Sequence, residues 1–399
     1  MKANINPQKI KEILSRGIEE VIEKENLKKR LLSGEKLRIK FGIDPTAPDL
    51  HVGHSLPLLK LKEFQELGHQ VVFLIGDFTA RIGDPTGRTI SRFPLSSAQV
   101  KKNMKSYQSQ AAKLLDMDKV RIRYNSEWWD KMKLEELMFL AAKVTYSQAS
   151  QRADFKKRLA EDKDFTLEEF MYPVLQGYDS VALKSDLEIG GSDQKFNMLM
   201  GRRIQKKYKQ PPQDVMTLNL LIGTDGKQKM SQSLGNYIGI SEKPAEQFGK
   251  IMSIPDGLIL EYFELATRLP LEEVQRLKAH LRDKKITPQL LKTRLAREIV
   301  SIYHNKQAGI GTEREFKRVF KEKKPPLKMP SVSIKQKELN LLDLLVKTRL
   351  APSRSEAKRL VVQGGVKIEG RVQKDWQKTV KTKKGMVLQV GKRKFIKVS

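Results

Sequence analysis

The sequence predicts an α/β protein: a doubly wound, Rossmann-like parallel sheet, followed by an all-α domain and a small α+β domain. Three observations carry that expectation. Short apolar runs alternate with amphipathic stretches over the first 240 residues, the strand signals then fade while helical periodicity continues, and both signals return in a basic segment beyond a proline-containing stretch.

From Asn6 to Leu32, apolar residues recur three and four apart (Ile10, Ile13, Leu14, Ile18, Val21, Ile22), which predicts an amphipathic helical lead-in ending at Gly34. LRIKFGI (37–43) reads as a strand, HSLPLLKLKEFQEL (54–67) as a helix closed by Gly68, and QVVFLIGD (70–77) as a nearly all-apolar strand, as sheets covered on both faces require. These three form a βαβ unit. The alternation continues with a helix near 97–115, a strand VRIRYN (120–125), helices near 131–144 and 166–178, a strand DLEIGG, a helix from Asp193 and a strand VMTLNLLIG (215–223). Segments such as LEEVQRLKAHLRD and LLKTRLAREIVSIYH are helical, so about 245–320 reads as all-α. KEKKPPLKMPSVS (321–333) combines charge with three prolines and marks a boundary. From Leu341 to the end, sixteen lysines and arginines stand against four acids, yet Leu341, Leu342, Leu344, Leu345, Leu350, Leu360, Val361 and Val362 are spaced to form a core rather than a disordered basic tail.

Across 399 residues the formal net charge is +30, a field that favours a polyanionic partner. A lysine-rich thermophilic surface would balance its lysine with glutamate, and this chain does not. Zero cysteines exclude disulfides, thiol nucleophiles and cysteine-ligated zinc; of five histidines only His51 and His54 are close in sequence, so no structural metal is expected. No apolar run approaches the ~18 residues that span a bilayer, and MKANINPQKIKEIL lacks the features of a secretory signal, so no membrane partner and a cytoplasmic location are expected.

PTAPDLHVGH (45–54) falls between the first strand and the first helix, where open sheets bind nucleotides at the carboxyl ends of their strands. Amides at a helix N-terminus favour phosphate, and His51 and His54 can donate hydrogen bonds to a triphosphate as charge builds in a transition state. Gly53 leaves room for a purine against the backbone. GTDGKQKMSQSLGNY (223–237) places Lys229, Ser231, Gln232 and Ser233 among glycines after the last strand, a polar loop able to fold over phosphates. Either motif alone would pass for a surface cap or a solvated turn; the two together are far more specific. GDPTGR (83–88) sets Asp84 in a tight turn, and LEEFMYPVLQGYDS (167–180) puts Tyr172, Gln176 and Asp179 on one helix face behind a Thr166/Glu169 capping box. A carboxylate, an amide and a phenol facing one cavity call for a polar guest.

HVGH with KMSQS, in this order, resembles the two signatures of class I aminoacyl-tRNA synthetases. YxxxQxYD, GGSDQ (190–194), GDPTGR and FGIDPTAPDLHVGH extend the resemblance to the bacterial tyrosyl-tRNA synthetases over nearly the whole chain. The resemblance implies a tyrosine–tRNA ligase that activates L-tyrosine with ATP and magnesium and charges tRNA(Tyr). His51, His54, Thr46 and Lys229 would be catalytic. Gly53, Asp193, Ser231, Gln232 and Ser233 would join His51, His54 and Lys229 in binding ATP, with Asp193 on the ribose. Asp84, Tyr172 and Gln176 would hold the tyrosine ammonium, Asp179 the phenolic hydroxyl, and Gln194 would lie beside the reacting carboxylate. Arg88 and Arg92 would serve pyrophosphate or the tRNA end. The tail resembles an S-four-like RNA-binding domain, in which Arg354, Lys358 and Arg359 would face RNA phosphates. Two departures from the family pattern stand out: Gln232 replaces the second lysine of KMSKS, and Lys40 stands where many relatives carry a tyrosine.

The implied organisation is a catalytic nucleotide-binding domain over 1–240, a helical tRNA-binding domain over 241–325, a linker over 326–338 and the RNA-binding domain over 339–399. A homodimer is expected from the resemblance and from the apolar segment WWDKMKLEELMFLAAKV (128–144), a stretch that core packing would explain equally well. A tryptophan-specific relative is disfavoured by YxxxQxYD and by the basic tail. A degenerate synthetase that only binds RNA is supported by Gln232 alone.

Overall fold

The computed structural model describes residues 3–86, 95–163, 166–327, 329–391 and 394–399. It divides into two compact units, Met1–Gly309 and Ile310–Ser399.

In the first unit, six strands among the described residues form one sheet: β1 (Ile18–Ile22), β2 (Arg38–Ile43), β3 (Gln70–Ile75), β4 (Val120–Tyr124), β5 (Leu187–Gly191) and β6 (Asp214–Leu218), in the order β1-β6-β5-β2-β3-β4. β2 to β6 run parallel, and β1 runs antiparallel to β6 at the edge. The apolar runs make the inner strands: Val71 to Ile75 are buried throughout, and so is all of β6. From β2 the chain steps outward through β3 to β4, then returns past β2 to lay down β5 and β6 on the other side. The connections therefore diverge between β2 and β5, and the crevice above their carboxyl ends is the position where such sheets bind ligands.

The helical lead-in over Asn6–Leu32 is corrected. Helix Pro7–Ile13 ends early, Gly17 adopts a left-handed φ of 63°, and Ile18–Ile22 forms β1 before helix Lys24–Leu32. Ile18, Val21 and Ile22 fit both a helical and a strand spacing, and pairing with β6 decides between them. The helix expected near 97–115 is split into Ser97–Met104 and Tyr107–Ala111. At the break, Asn103 Nδ2 donates to the Pro45 carbonyl at 2.9 Å and Ser106 Oγ to that of Pro48, so these side chains brace the PTAPDL loop. The last strand stops at Leu218, because its partner β5 gives way at Ser192 to a 3₁₀ turn. Beyond residue 243 come helices Pro244–Met252, Ile259–Ala266, Leu271–Arg282 and Pro288–Tyr303, the last capped by Thr287 with proline in its first turn.

In the second unit, β7 (Ser331–Val332), β8 (Glu338–Asn340), β9 (Val366–Ile368), β10 (Arg371–Val372), β11 (Thr379–Lys381), β12 (Val387–Val390) and β13 (Lys394–Val398) form a sheet of order β10-β9-β12-β13-β7 and a pair β11-β8. Helices Leu341–Lys347 and Arg354–Val362 supply Leu341, Leu344, Leu345 and Val361 to a core shared with Val366 and Leu388. Val362, expected in that core, is 64 % exposed at the end of its helix. Among the described residues no helix is long and apolar enough to cross a membrane.

Candidate active site

A cavity of about 880 Å³ opens at the carboxyl ends of β2 and β5. Its wall includes Thr46, His51, Gly53 and His54 from the first motif, Lys229, Ser231, Gln232 and Ser233 from the second, and Asp84, Tyr172, Gln176, Asp179, Asp193 and Gln194. The structure thus brings together fourteen of the predicted site residues, drawn from segments up to 187 positions apart. Arg88 and Arg92 lie outside the described residues.

The Val52–Glu66 helix connects β2 to β3, and His51 is its N-cap. The His54 amide donates to His51 Nδ1 at 3.3 Å, and the His51 amide donates to His54 Nδ1 at 3.5 Å. The rings stack with centroids 3.6 Å apart. Because both Nδ1 atoms accept, each neutral ring carries its hydrogen on Nε2 and is a single-site donor. Burial lowers the His54 pKa to about 4, helped by the Lys229 charge, and that of His51 to about 2, helped by His54 and Lys229. A side chain at Gly53 would meet the His51 ring at 3.1 Å, so this glycine keeps the imidazole in place as well as leaving the backbone open.

The second motif is tied to the first through backbone and side chain. Val52 N donates to Ile238 O at 2.9 Å, Ile240 N donates to Leu50 O at 3.0 Å, and the Gln232 amide donates to the Asp49 carbonyl just ahead of His51. Lys229 Nζ lies 2.6 Å from Asp193 Oδ2 in the turn after β5. Ser231 and Ser233 share a hydrogen bond of 2.8 Å. The lysine's charge is therefore held over the cavity by a carboxylate.

At the other end, the capping box predicted for helix Leu167–Leu183 is present, with Glu169 also paired to Arg158. This helix points Tyr172, Gln176 and Asp179 to the cavity wall, as the spacing predicts. Asp179 is buried; Trp128 and Trp129 each donate Nε1–H to its Oδ1 at 2.9 Å, and Asn125 donates to Oδ2 at 3.3 Å. Burial raises its pKa to about 6 against these donors and the Lys40 charge. The Gln176 amide reaches Glu188 at 3.3 Å. Asp84 Oδ1 accepts from the Thr86 amide and hydroxyl at 2.9 and 2.6 Å, and Gln194 Nε2 donates to Asp84 Oδ2 at 2.7 Å, so Gln194 meets the Asp84 end of the cavity.

Several participants were not read from the sequence. Asp44, which follows β2, accepts from Thr79 at 2.7 Å and from the Tyr172 hydroxyl at 2.9 Å, and burial pushes its pKa up to about 7. Its signal was available: a carboxylate ahead of proline at the carboxyl end of an apolar strand. Arg152, nearly buried, lies 3.4 Å from Asp84. Glu188 pairs with Lys40 at 2.9 Å, so the lysine at that departure from the family pattern has a carboxylate partner on the neighbouring strand. The apolar segment 128–144, open between a dimer surface and core packing, divides: Trp128 and Trp129 turn inward and donate to Asp179, whereas Leu134, Met138 and Phe139 are exposed. In the second unit, Arg354 pairs with Asp343 and Arg359 with Glu356, while exposed Lys358 lies 4.1 Å over the Trp376 ring.

A doubly wound sheet with HVGH and KMSQS facing each other across its switch point defines a nucleotide-activating enzyme of the class I synthetase type. Residues 32–321 match the family model described as tRNA synthetases class I (W and Y), and residues 321–398 match a tyrosine–tRNA ligase SYY-like C-terminal domain. The chain is 48 % identical to a tyrosine–tRNA ligase of Moorella thermoacetica over 97 % of its own length and 94 % of the relative's. It is 47 % identical to a tyrosine–tRNA ligase of Thermotoga maritima, covering 99 % and 98 %. The crystal structure of a C-terminally truncated mitochondrial tyrosyl-tRNA synthetase from Aspergillus nidulans shares the fold with a TM-score of 0.66 at 24 % identity, covering 78 % of this chain and 94 % of that one. The chain belongs to the class I tRNA synthetases of the tryptophan and tyrosine family. Within that family its activity is that of a tyrosine–tRNA ligase, which uses ATP to activate tyrosine and charges tRNA with it.

Proposed function

We propose that the cavity holds tyrosine and ATP end to end. The phenol would lie toward Asp179, the ammonium toward Asp84, Tyr172 and Gln176, with Asp44 as a further anion there, and the ribose toward Asp193. The triphosphate would run between His51, His54, Thr46, Lys229 and the loop serines, and the reacting carboxylate would lie near Gln194. Arg88 and Arg92 would assist pyrophosphate or the tRNA end. The observation that carries this reading is that one cavity is lined by both signature motifs and by Asp84, Tyr172, Gln176 and Asp179.

The tyrosine carboxylate has a pKa of about 3.5 and is already ionised, so the first step needs no general base. One carboxylate oxygen attacks the α-phosphorus in line, the bond to the bridging oxygen breaks, and pyrophosphate leaves. The imidazole Nε2–H groups and Lys229 stabilise charge growing on the phosphates, and the rest is positioning. The terminal ribose hydroxyl of tRNA(Tyr) then attacks the tyrosyl carbonyl and AMP leaves. Magnesium would enter with ATP as part of that substrate; among the described residues no three His, Asp or Glu side chains gather as a metal-ligand group.

The helical region after residue 241 and the basic domain over 339–399 would hold the tRNA, with Arg354, Lys358 and Arg359 toward its phosphates. Leu134, Met138 and Phe139, 73, 61 and 60 % exposed, support a homodimer surface, which sedimentation of a Phe139→Arg variant tests. The substrate reading is tested by ATP–pyrophosphate exchange with twenty amino acids supplied singly. Tyrosine alone should drive it; exchange driven by tryptophan would overturn the assignment.

A further inference from the structure

Tyr303 ends helix Pro288–Tyr303, about 250 positions from the HVGH motif, and its side chain is only 3 % exposed. A phenylalanine would fill the same space without burying a hydroxyl, which is costly unless that hydroxyl finds a partner. Its partner is Ser55 Oγ at 2.5 Å, on the residue that follows His54. The Ser55 hydroxyl is itself committed as donor to the Val52 carbonyl at 2.6 Å, so Tyr303 is the donor and Ser55 the acceptor. Val52 follows His51 and Ser55 follows His54. The chain Tyr303 to Ser55 to Val52 therefore closes on the helical turn that carries both imidazoles.

The backbone of Tyr303 enters the same arrangement. Lys113 Nζ donates to the Tyr303 carbonyl at 3.1 Å and to the Ile240 carbonyl at 3.2 Å, and the Ile240 amide donates to Leu50 O at 3.0 Å. The HVGH turn is thus held on one side by the segment after the KMSQS loop and on the other by the end of a helix outside the sheet.

We propose that Tyr303 is a positioning residue for tyrosine activation, fixing His51 and His54 against the triphosphate through the Ser55 hydroxyl. The inference rests on the reading of those imidazoles as transition-state donors. Groups that act only in the transition state are sensitive to misplacement by about 1 Å, which costs up to ~100-fold in rate, while ground-state binding is spared.

The test is steady-state ATP–pyrophosphate exchange by the full chain carrying Tyr303→Phe, with active sites counted from the stoichiometric burst of tyrosyl-adenylate. kcat per active site should fall roughly 10-fold with KM for tyrosine and ATP held within about two-fold, the split expected of a lost transition-state interaction. In a His54→Ala background the same substitution should cost clearly less than it does in the wild-type protein, because one of the two imidazoles it positions is gone. A purely structural tyrosine would lower Tm and the number of active sites but leave kcat per site unchanged, and that result overturns the proposal. So does a loss that multiplies fully with that of His54→Ala. Ser55→Ala removes the acceptor, carries the same two readouts, and decides the matter if Tyr303→Phe does not fold. If His54→Ala alone leaves exchange unchanged, the imidazole reading fails first; if it abolishes exchange while Tyr303→Phe and Ser55→Ala keep wild-type turnover, the inference about Tyr303 alone is wrong.

Discussion

Lys40 on β2 and Glu188 on β5 are register partners, and their side chains meet at 2.9 Å with almost no access to solvent. Lys40 also donates to Ser180 Oγ at 2.8 Å and to the Gln176 carbonyl at 3.3 Å, and Gln213 donates to Glu188, so the pair is bonded at both ends. This network lines the cavity beside Gln176 and Asp179. Removing one partner of a buried pair leaves an uncompensated charge, at about 3–5 kcal/mol. Lys40→Met should therefore lower stability to urea by that order, and adding Glu188→Gln should recover most of it. A Lys40→Met protein as stable as wild type would show that the pair is not what holds this lining together.

Asp179 gives a different expectation, because its donors come from the protein before any substrate arrives. Asp179→Asn keeps the shape but removes the charged acceptor, which is worth about 1.5–3 kcal/mol, or roughly 10–100-fold. KM for tyrosine should rise by at least that factor while KM for ATP stays put, and the preference for tyrosine over phenylalanine should narrow. An unchanged preference in exchange assays would place the phenol elsewhere.

The acid limb of activity should belong to carboxylates rather than imidazoles. Burial holds His54 near 4 and His51 near 2, so both rings are neutral through the range from 5 to 8, whereas Asp179 at about 6 and Asp44 at about 7 gain protons there. kcat/KM for tyrosine should fall as pH drops through 7 to 6, and His54→Gln should lower the plateau without moving that midpoint. A midpoint displaced by His54→Gln would return the limb to the imidazole. For stability the signs oppose. The histidines, with folded pKa values below their ordinary 6.5, contribute stability that is lost as pH falls from 6.5 toward 4 for His54 and toward 2 for His51. Asp44, raised above its ordinary 3.8, contributes stability present below 3.8 and lost as pH rises through 7.

Gln232 holds the loop by its amide on the Asp49 carbonyl, a contact that needs a donor but no charge. Gln232→Lys should keep exchange at or a few-fold above the wild-type rate, and Gln232→Ala should lower kcat about 10-fold without changing KM for tyrosine. Equal rates for all three proteins would show the tether to be idle.

How far the sequence reached can be judged from particular residues. The inner strands were legible because burial on both faces demands apolar runs, and Tyr172, Gln176 and Asp179 because helical spacing puts them on one face. β1 was not, since Ile18, Val21 and Ile22 satisfy two periodicities until β6 supplies a partner. Asp44 had a local signal, a carboxylate ahead of proline at a strand end, but its bond to Tyr172, 128 positions away, had none, and Glu188 was missed because no local pattern encodes its meeting with Lys40. Arg88 and Arg92 keep their standing from the motif alone, outside the described residues.

The indole bonds to Asp179 also give the protein optical probes of its own. Of its three tryptophans, Trp128 and Trp129 touch the carboxylate assigned to the phenol, and Trp376 lies beneath Lys358 on the basic domain. Indole emission responds to nearby charge and hydrogen bonding, so filling the tyrosine end should perturb the first two and contact with RNA phosphates the third. With Trp376 replaced by phenylalanine, the remaining emission becomes a label-free titration of the amino-acid pocket. Replacing Trp128 and Trp129 instead would isolate a reporter of RNA engagement.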